Sequence, residues 1–81
     1  MLRIATETKL NPEETIKKAI EFFGPNGCKL ELTNQTETSA YFEGGGGLVE
    51  VMAYEAKGKT KVEFFSREWD YQVKEFIKKI H

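Results

Sequence analysis

Within residues 44–69, two stretches alternate apolar and polar positions with a period of two, which is the pattern of a β-hairpin. Five apolar residues occupy alternate positions of the two predicted strands: Val49, Val51, Ala53, Val62 and Phe64. Gly58 lies between these strands, where a tight turn needs a residue that tolerates a left-handed backbone conformation. The sequence therefore predicts a hairpin, and the helical pattern that follows it predicts a last helix packed across the sheet.

The loop of this hairpin is compatible with two registers. A loop of two residues, Lys57-Gly58, or of four residues, 56–59, turns all five apolar residues toward the core. A three-residue bulged loop would instead turn Glu50 and Tyr54 inward. We predict the first register, with Met52 and Tyr54 facing away from the helices, because the second would bury Glu50 without a partner.

The chain before the hairpin predicts three short strands and one helix. Alternating apolar residues indicate strands over residues 2–6, 28–33 and 38–43. A helix is predicted over residues 11–23, because Asn11 is a favourable N-cap and Pro12 suits the first helical position.

The last helix is predicted over residues 66–80, with Ser66 as its N-cap. Its apolar residues form one stripe: Trp69, Val73, Phe76, Ile77 and Ile80. The complete order is β-α-β-β-β-β-α. It predicts a single α+β domain over residues 1–81, in which an antiparallel sheet of about five strands carries both helices on one face.

Composition excludes several classes of protein. The net charge is −1, from 12 Lys and Arg against 13 Asp and Glu, and the charges are interspersed, which argues against a nucleic-acid or anionic-membrane partner. The sequence contains no apolar run long enough for a membrane span, and its first residues lack the apolar core of a signal peptide. With the single Cys28 there is no internal disulfide, so we predict a cytoplasmic protein.

One motif resembles a nucleotide-binding loop. Residues 53–60, AYEAKGKT, fit the loose phosphate-loop pattern [AG]-x4-G-K-[ST]. That mechanism requires a helix N-terminus directly after the loop, whereas the residues after Thr60 alternate with the period of a strand. We therefore predict a hairpin turn and no phosphate binding at Gly58, Lys59 and Thr60.

The four consecutive glycines, Gly44, Gly45, Gly46 and Gly47, allow two interpretations. They precede a strand, so they do not form the dinucleotide-binding fingerprint, which precedes a helix. A flexible connection, bulge or kink in the sheet is one interpretation. A mobile lip that admits a ligand is the other, because ordering four glycines costs much conformational entropy.

The sequence offers no catalytic constellation. Cys28 lies on the apolar side of its predicted strand, and the only histidine is His81, so neither a metal site nor a Cys/His pair is predicted. Glu43 and Glu50 flank the glycines and could meet as an acid/base pair, but both fall at outward positions where solvated charges are expected. We predict a protein that is not an enzyme and needs no cofactor.

The outward side of the predicted sheet is more apolar than a solvated face: it carries Tyr41, Leu48, Met52, Tyr54 and Phe65. A homodimer that buries this face, with Tyr41, Met52, Tyr54 and Phe65 at the interface, is one interpretation. Scattered exposed apolar residues, which are normal on protein surfaces, are the other.

The element order, the glycine loop, the KGKTKV hairpin and the closing helix SREWDYQVKEFIKKI resemble a shortened helix-grip domain of the START/Bet v1, polyketide-cyclase-like kind. Such domains bind lipids or other apolar ligands between a curled sheet and the last helix. The resemblance implies a ligand surface, carries over no catalytic residue, and places the surface near Phe42, Val51, Phe64, Trp69 and Val73. The chain departs from that family in its fewer strands and its single helix after the first strand.

The topology also looks like one repeat of the TATA-binding-protein fold, which implies DNA binding by the sheet. The acidic net charge and the scarcity of Arg and Lys at outward positions argue against that function. Two hypotheses therefore remain for the protein. The one that we predict first is a small, non-catalytic binding module that holds an apolar molecule or lipid between the sheet and the last helix. The other is an interaction module that forms a homodimer through the outer sheet face.

Overall fold

A computed structural model describes all 81 residues of the chain. The elements are β1 (Leu2–Thr8), α1 (Pro12–Phe23), β2 (Glu31–Gln35), β3 (Ser39–Gly44), β4 (Gly47–Ala56), β5 (Lys59–Arg67) and α2 (Asp70–Ile80). All neighbouring strands are antiparallel, in the spatial order β1-β5-β4-β3-β2. The predicted fold class and element order are confirmed. Neither helix is long and apolar enough to cross a membrane.

Helix α1 begins where its capping residues predict. The side chain of Asn11 accepts a hydrogen bond from the Glu14 amide at 2.8 Å, and Glu14 Oε1 accepts one from the Asn11 amide at 3.2 Å. This reciprocal capping box satisfies two amides that have no partner within the helix. At the other end, the amide of Gly24 donates to the carbonyl of Ile20 at 2.9 Å, and the helix stops.

The hairpin β4–β5 adopts the predicted register. Val51 lies opposite Phe64 and Ala53 opposite Val62, around the two-residue loop Lys57-Gly58. Met52 and Tyr54 lie on the other face and are 40% and 39% exposed. The register that avoids burying Glu50 is therefore the one that the structure adopts.

Aromatic rings form the centre of the core between the sheet and both helices. The ring of Phe23 in α1 lies 5.6 Å from that of Phe42 in β3, and the ring of Phe76 in α2 lies 5.9 Å from that of Phe64 in β5. Phe23 and Phe76 also contact each other, at 5.4 Å between ring centroids. Both helices therefore pack on the same face of the sheet, as predicted.

The predicted strand over residues 28–33 is placed wrongly. Cys28 belongs to the turn after α1, where its amide donates to the carbonyl of Phe22, and the amide of Leu30 donates to that of Phe23. These bonds satisfy the last carbonyls of the helix, so β2 begins only at Glu31. The strand then passes an irregularity at Thr33, which is an extra residue opposite β3, and continues to Gln35, beyond the predicted end of the strand.

The predicted N-cap of the last helix is also wrong. Ser66 is a fully buried residue of β5 that pairs with Leu2 on one side and with Val49 on the other. The strand extends to Arg67, and α2 begins at Asp70. Ser66 still contacts the first residue of α2, because its hydroxyl donates a hydrogen bond to the carboxylate of Asp70 at 2.5 Å.

Candidate functional site

The four glycines form a tight hairpin between β3 and β4. Gly44 pairs with Gly47, and the two turn residues Gly45 and Gly46 have φ angles of 58° and 80°. Two consecutive positive φ angles in a two-residue loop are the signature of a type I′ turn, which matches the twist of the strands. The four glycines are therefore part of the sheet. The mobility of this loop stays a prediction.

Trp69 covers this turn. Its indole N–H donates to the carbonyl of Gly44 at 2.9 Å, and the ring lies against Gly45, where a methyl group would come within 3.0 Å of Cζ2. Trp69 occupies the N-cap position of α2 without making a side-chain cap hydrogen bond. The residue therefore links the start of the last helix to the β3–β4 turn.

The structure brings most of the predicted ligand-binding residues together in the core. Phe42, Val51, Phe64 and Val73 are buried, whereas Trp69 is only half-buried at the rim. The side chains of α1 and α2 occupy the space over the sheet, with the aromatic contacts described above. A ligand between the sheet and α2 would have to displace these side chains, and the predicted binding role stays a prediction.

The outer face of the sheet is the side turned away from both helices. The pairing aligns five of its residues in one row across the strands: Arg3, Phe65, Glu50, Tyr41 and Asn34. The guanidinium of Arg3 lies over the ring of Phe65, 5.0 Å from its centroid, which is a cation–π contact. Tyr41 and Phe65 are half-buried on this face, while Met52 and Tyr54 are exposed. The four predicted interface residues therefore share one face.

Two shallow concavities lie on the outer face, and both are lined by Glu50 and Phe65. One, of about 290 Å³, extends toward β1 and Met52. The other, also of about 290 Å³, extends toward Tyr41 and Leu48. The aromatic ring of Phe65 and the Glu50 carboxylate thus stand at the centre of a surface with relief on both sides.

Charge divides the outer face into two halves. The basic half, formed by β1 and β5, carries four cations and two carboxylates at outward positions: Arg3, Lys59, Lys61, Arg67, Glu7 and Glu63. The acidic half, formed by β4, β3 and β2, carries three carboxylates and neither lysine nor arginine at its outward positions: Glu31, Glu43 and Glu50. The nearly neutral chain therefore presents a polarised sheet face.

A hydrogen bond joins the two halves. The hydroxyl of Tyr54 donates to Glu63 Oε2 at 2.7 Å across the β4–β5 hairpin. This bond to the carboxylate, then desolvation and the negative charge of Glu63, raise the pKa of Tyr54 above its ordinary value. The hydrogen bond to Glu63 therefore favours the neutral phenol of Tyr54 on the exposed surface.

The motif that resembles a phosphate loop forms the β4–β5 turn. Lys57 and Gly58 are its two turn residues, with φ angles of 54° and 80°, and Lys59 and Thr60 already belong to β5. The hairpin prediction is confirmed, and the absence of phosphate binding stays a prediction. A concavity of about 550 Å³ next to this turn also touches Glu7 and His81 and is lined mainly by polar residues.

The residues with intrinsic reactivity lie apart. Cys28 is half-buried in its turn, and burial raises the pKa of its thiol. His81 contacts Thr6 through Nε2 at 2.9 Å. No group of three or more His, Cys, Asp and Glu side chains lies close enough together to hold a metal ion.

Sequence reasoning missed the contacts that organise this region. The bond from Trp69 to Gly44 joins residues 25 positions apart, which no local pattern indicates. The stacking of Arg3 on Phe65 depends on the pairing of the first strand with the fifth. The inward positions of Val62 and Phe64 predict the outward side of Phe65, but not its cationic partner.

Comparisons of the chain with protein-family models, with curated proteins and with solved structures found no match. The coordinates show the coarser part of the helix-grip resemblance, which is a small α+β fold with a five-stranded antiparallel sheet and two helices. Membership of that family is a separate question from the topology, because one topology serves unrelated functions.

Proposed function

We propose that this protein is a non-catalytic interaction module that forms a homodimer through the outer face of its sheet. The proposal is carried by the division of that face into a basic and an acidic half around apolar side chains. Apolar residues at the centre of such a surface supply the burial that drives association. The separated charges favour one orientation of the two copies and disfavour others.

The arrangement of the charges matches the symmetry of a two-fold dimer. A face-to-face dimer uses the same patch on both copies. A two-fold axis that runs along the strands, between β5 and β4, places the basic half of each copy over the acidic half of the other. An axis across the strands would oppose like charges, so the face specifies the first orientation.

The test compares two tyrosines of the same chain. Tyr54 lies on the outer face, whereas Tyr71 lies on α2 and is 69% exposed. Sedimentation velocity and light scattering of the wild type, Tyr54→Lys and Tyr71→Lys measure the mass of the assembly against the 9.3 kDa of one chain. We expect Tyr54→Lys to lower the mass and Tyr71→Lys to leave it at the wild-type value. A monomeric wild type, or a Tyr54→Lys variant with unchanged mass, contradicts the proposal.

The competing hypothesis is the helix-grip one, in which an apolar molecule or lipid lies between the sheet and α2. The packed rings of Phe23, Phe42, Phe64 and Phe76 weigh against it, because an empty apolar space large enough for a ligand costs a small domain much of its stability. A fluorescent fatty acid added to Tyr54→Lys, in which the face contact is removed, is the direct test. Saturable binding, with a change in Trp69 fluorescence, would favour the ligand hypothesis over the interaction module.

DNA binding by the sheet, which the TATA-binding-protein topology implies, finds no support in the charges of the outer face. Three of its five strands present carboxylates outward and neither lysine nor arginine. Phosphate contacts supply most of the affinity of proteins for nucleic acid. We therefore favour a protein partner for this surface.

A further inference from the structure

Strand β1 forms an open edge of the sheet. Its seven residues pair with β5 in an uninterrupted register from Leu2 opposite Ser66 to Thr8 opposite Thr60. No strand lies on its other side. Of the nine backbone hydrogen bonds outside the helices and strands, none involves residues 2–8, so the outward amides and carbonyls of this edge have no partner within the chain.

The opposite edge is built differently. Strand β2 has five residues, and its pairing with β3 shifts at Thr33. Short length and a bulge are two ways in which proteins discourage edge-to-edge pairing. Strand β1 contains neither proline nor glycine and no bulge, so only this edge offers a regular template for another strand.

The sequence of β1 is complementary to itself in one antiparallel register. When a second copy pairs with Ala5 opposite Ala5, Arg3 of each copy lies opposite Glu7 of the other on the outer face. Opposite charges at directly facing positions stabilise a pair of strands. The half-buried Leu2 and Ile4 gain neighbours on the inner face of the second copy at the same time.

Neighbouring registers lose this complementarity. A register must shift by two residues to keep the inner and outer faces aligned. A shift in one direction places Arg3 opposite Ala5 of the second copy, and a shift in the other places it opposite Lys9, which has the same charge. The charges therefore select the register centred on Ala5.

Both charged residues are accessible for this pairing. The side chain of Glu7 is 55% exposed, and its carboxylate lies 3.8 Å from the ammonium of Lys59, a distance typical of weak surface pairs. Arg3 is exposed, and its stacking on Phe65 leaves the edges of the guanidinium free for a carboxylate.

We propose that β1 pairs with β1 of a second copy, antiparallel and centred on Ala5, to form a continuous ten-stranded sheet with a two-fold axis perpendicular to it. This contact concerns the edge and is independent of the face-to-face dimer. It sets two outer faces side by side. The axis of the edge contact lies beyond β1, whereas that of the face-to-face dimer lies between β5 and β4, so the two axes do not intersect and the two contacts together do not close a tetramer.

The charge pairs provide a reversal test, made in the Tyr54→Lys background so that the face contact is removed. Arg3→Glu or Glu7→Arg alone places like charges opposite each other twice, and we expect either change to raise the dissociation constant of the dimer about tenfold. The double variant, Arg3→Glu with Glu7→Arg, restores opposite charges and should restore dimerisation. Equal dissociation constants for all four proteins overturn the proposal, as does a Tyr54→Lys protein that stays monomeric at every concentration.

Crosslinking locates the contact independently of mass. In a Cys28→Ser background, Ala5→Cys places the two thiols opposite each other on the proposed axis, whereas Asn34→Cys places a thiol on the β2 edge as the matched control. We expect a short bifunctional thiol reagent to link Ala5→Cys into a dimer and to leave Asn34→Cys unlinked. The face-to-face dimer sets β1 over β3 of the other copy, so it cannot produce the Ala5 crosslink. Absence of this crosslink in a protein with native circular dichroism overturns the edge contact and leaves the face-to-face dimer untouched.

Discussion

The hairpins at the two ends of β4 turn in the same way and are held in different ways. Gly45-Gly46 and Lys57-Gly58 both have two consecutive positive φ angles, between 54° and 80°. The first turn lies under Trp69, which binds the Gly44 carbonyl, whereas nothing lies within 4 Å of a methyl group placed on Gly58. Identical backbone geometry thus arises once under a tertiary contact and once from local preference alone.

The largest expected effect comes from Gly47→Ala, at the base of the covered hairpin. A methyl group there would lie 2.0 Å from the Arg67 carbonyl and 2.7 Å from Cβ of Glu68. Because the neighbour is backbone and cannot rotate away, we expect a loss of about 2–3 kcal/mol in the free energy of unfolding. Urea denaturation measures it. Gly46→Ala, which meets no atom within 4 Å, is the control, and an equal loss in both variants would show that only turn conformation matters.

Trp69→Phe should make the Gly45-Gly46 turn, which Trp69 covers, exchange its amide hydrogens as readily as the uncovered Lys57-Gly58 turn. It removes the indole donor and leaves the Gly44 carbonyl to water, for which we expect a loss of about 1–2 kcal/mol. Hydrogen exchange at the amides of residues 45–47 should rise toward the rates at residues 57–59. Tyr71→Phe is the matched control on the exposed side of α2. If the wild-type amides of both turns already exchange equally fast, Trp69 does not order the loop and the mobile-lip interpretation gains support.

We expect the stability of the uncovered Lys57-Gly58 turn to depend on the conformational preferences of these two residues alone. Gly58→Ala forces a side chain into a left-handed conformation and should cost about 1 kcal/mol. Lys57→Asn supplies the residue that type I′ turns prefer at that position and should stabilise the fold by about 0.5 kcal/mol. Thermal unfolding of both variants checks the signs. A gain from Gly58→Ala would show that this turn is not type I′ in solution.

The smallest effect concerns the Tyr54–Glu63 bond, which ties the open hairpin together across its exposed face. The folded protein raises the pKa of Tyr54, so the folded state favours the neutral phenol. Its contribution to stability is complete below the pKa of the unfolded chain, about 10, and is lost as pH rises through the higher folded value. Glu63→Gln should lower the pKa of Tyr54 in an ultraviolet titration, with Tyr54→Phe identifying its signal. An unchanged titration would mean that the bond does not persist in solution.

The success of prediction differed between these regions for physical reasons. The register of β4–β5 follows from period-two alternation and the cost of burying Glu50, which are local properties. The start of α2 does not, because Ser66 fits an N-cap as well as a strand end, and only its pairing with Leu2 and Val49 decides between them. Likewise, the alternation from Cys28 onward fits a strand, and only the hydrogen bonds around the end of α1 exclude it.

The same difference between local pattern and long-range pairing applies to the candidate surfaces. The outward side of Tyr41, Met52, Tyr54 and Phe65 could be predicted from alternation alone. The separation of charge into halves could not, since it depends on the spatial order of the strands, in which β1 lies beside β5. Positive and negative residues are interspersed along the sequence, but on the outer face of the sheet they lie in two separate halves.

The pairing of β1 with β5 also has a consequence for the order in which the chain acquires its structure. In every other pair, the two strands are consecutive in sequence. Leu2 of β1, by contrast, pairs with Ser66 of β5, which lies near the other end of the chain. Closing so long a loop carries the largest entropic cost of any pairing in the sheet. During synthesis, β1 is made first and completes its hydrogen bonds last, after the β2–β5 meander exists. Pulse-labelling hydrogen exchange during refolding should therefore protect the amides of β4 before those of β1.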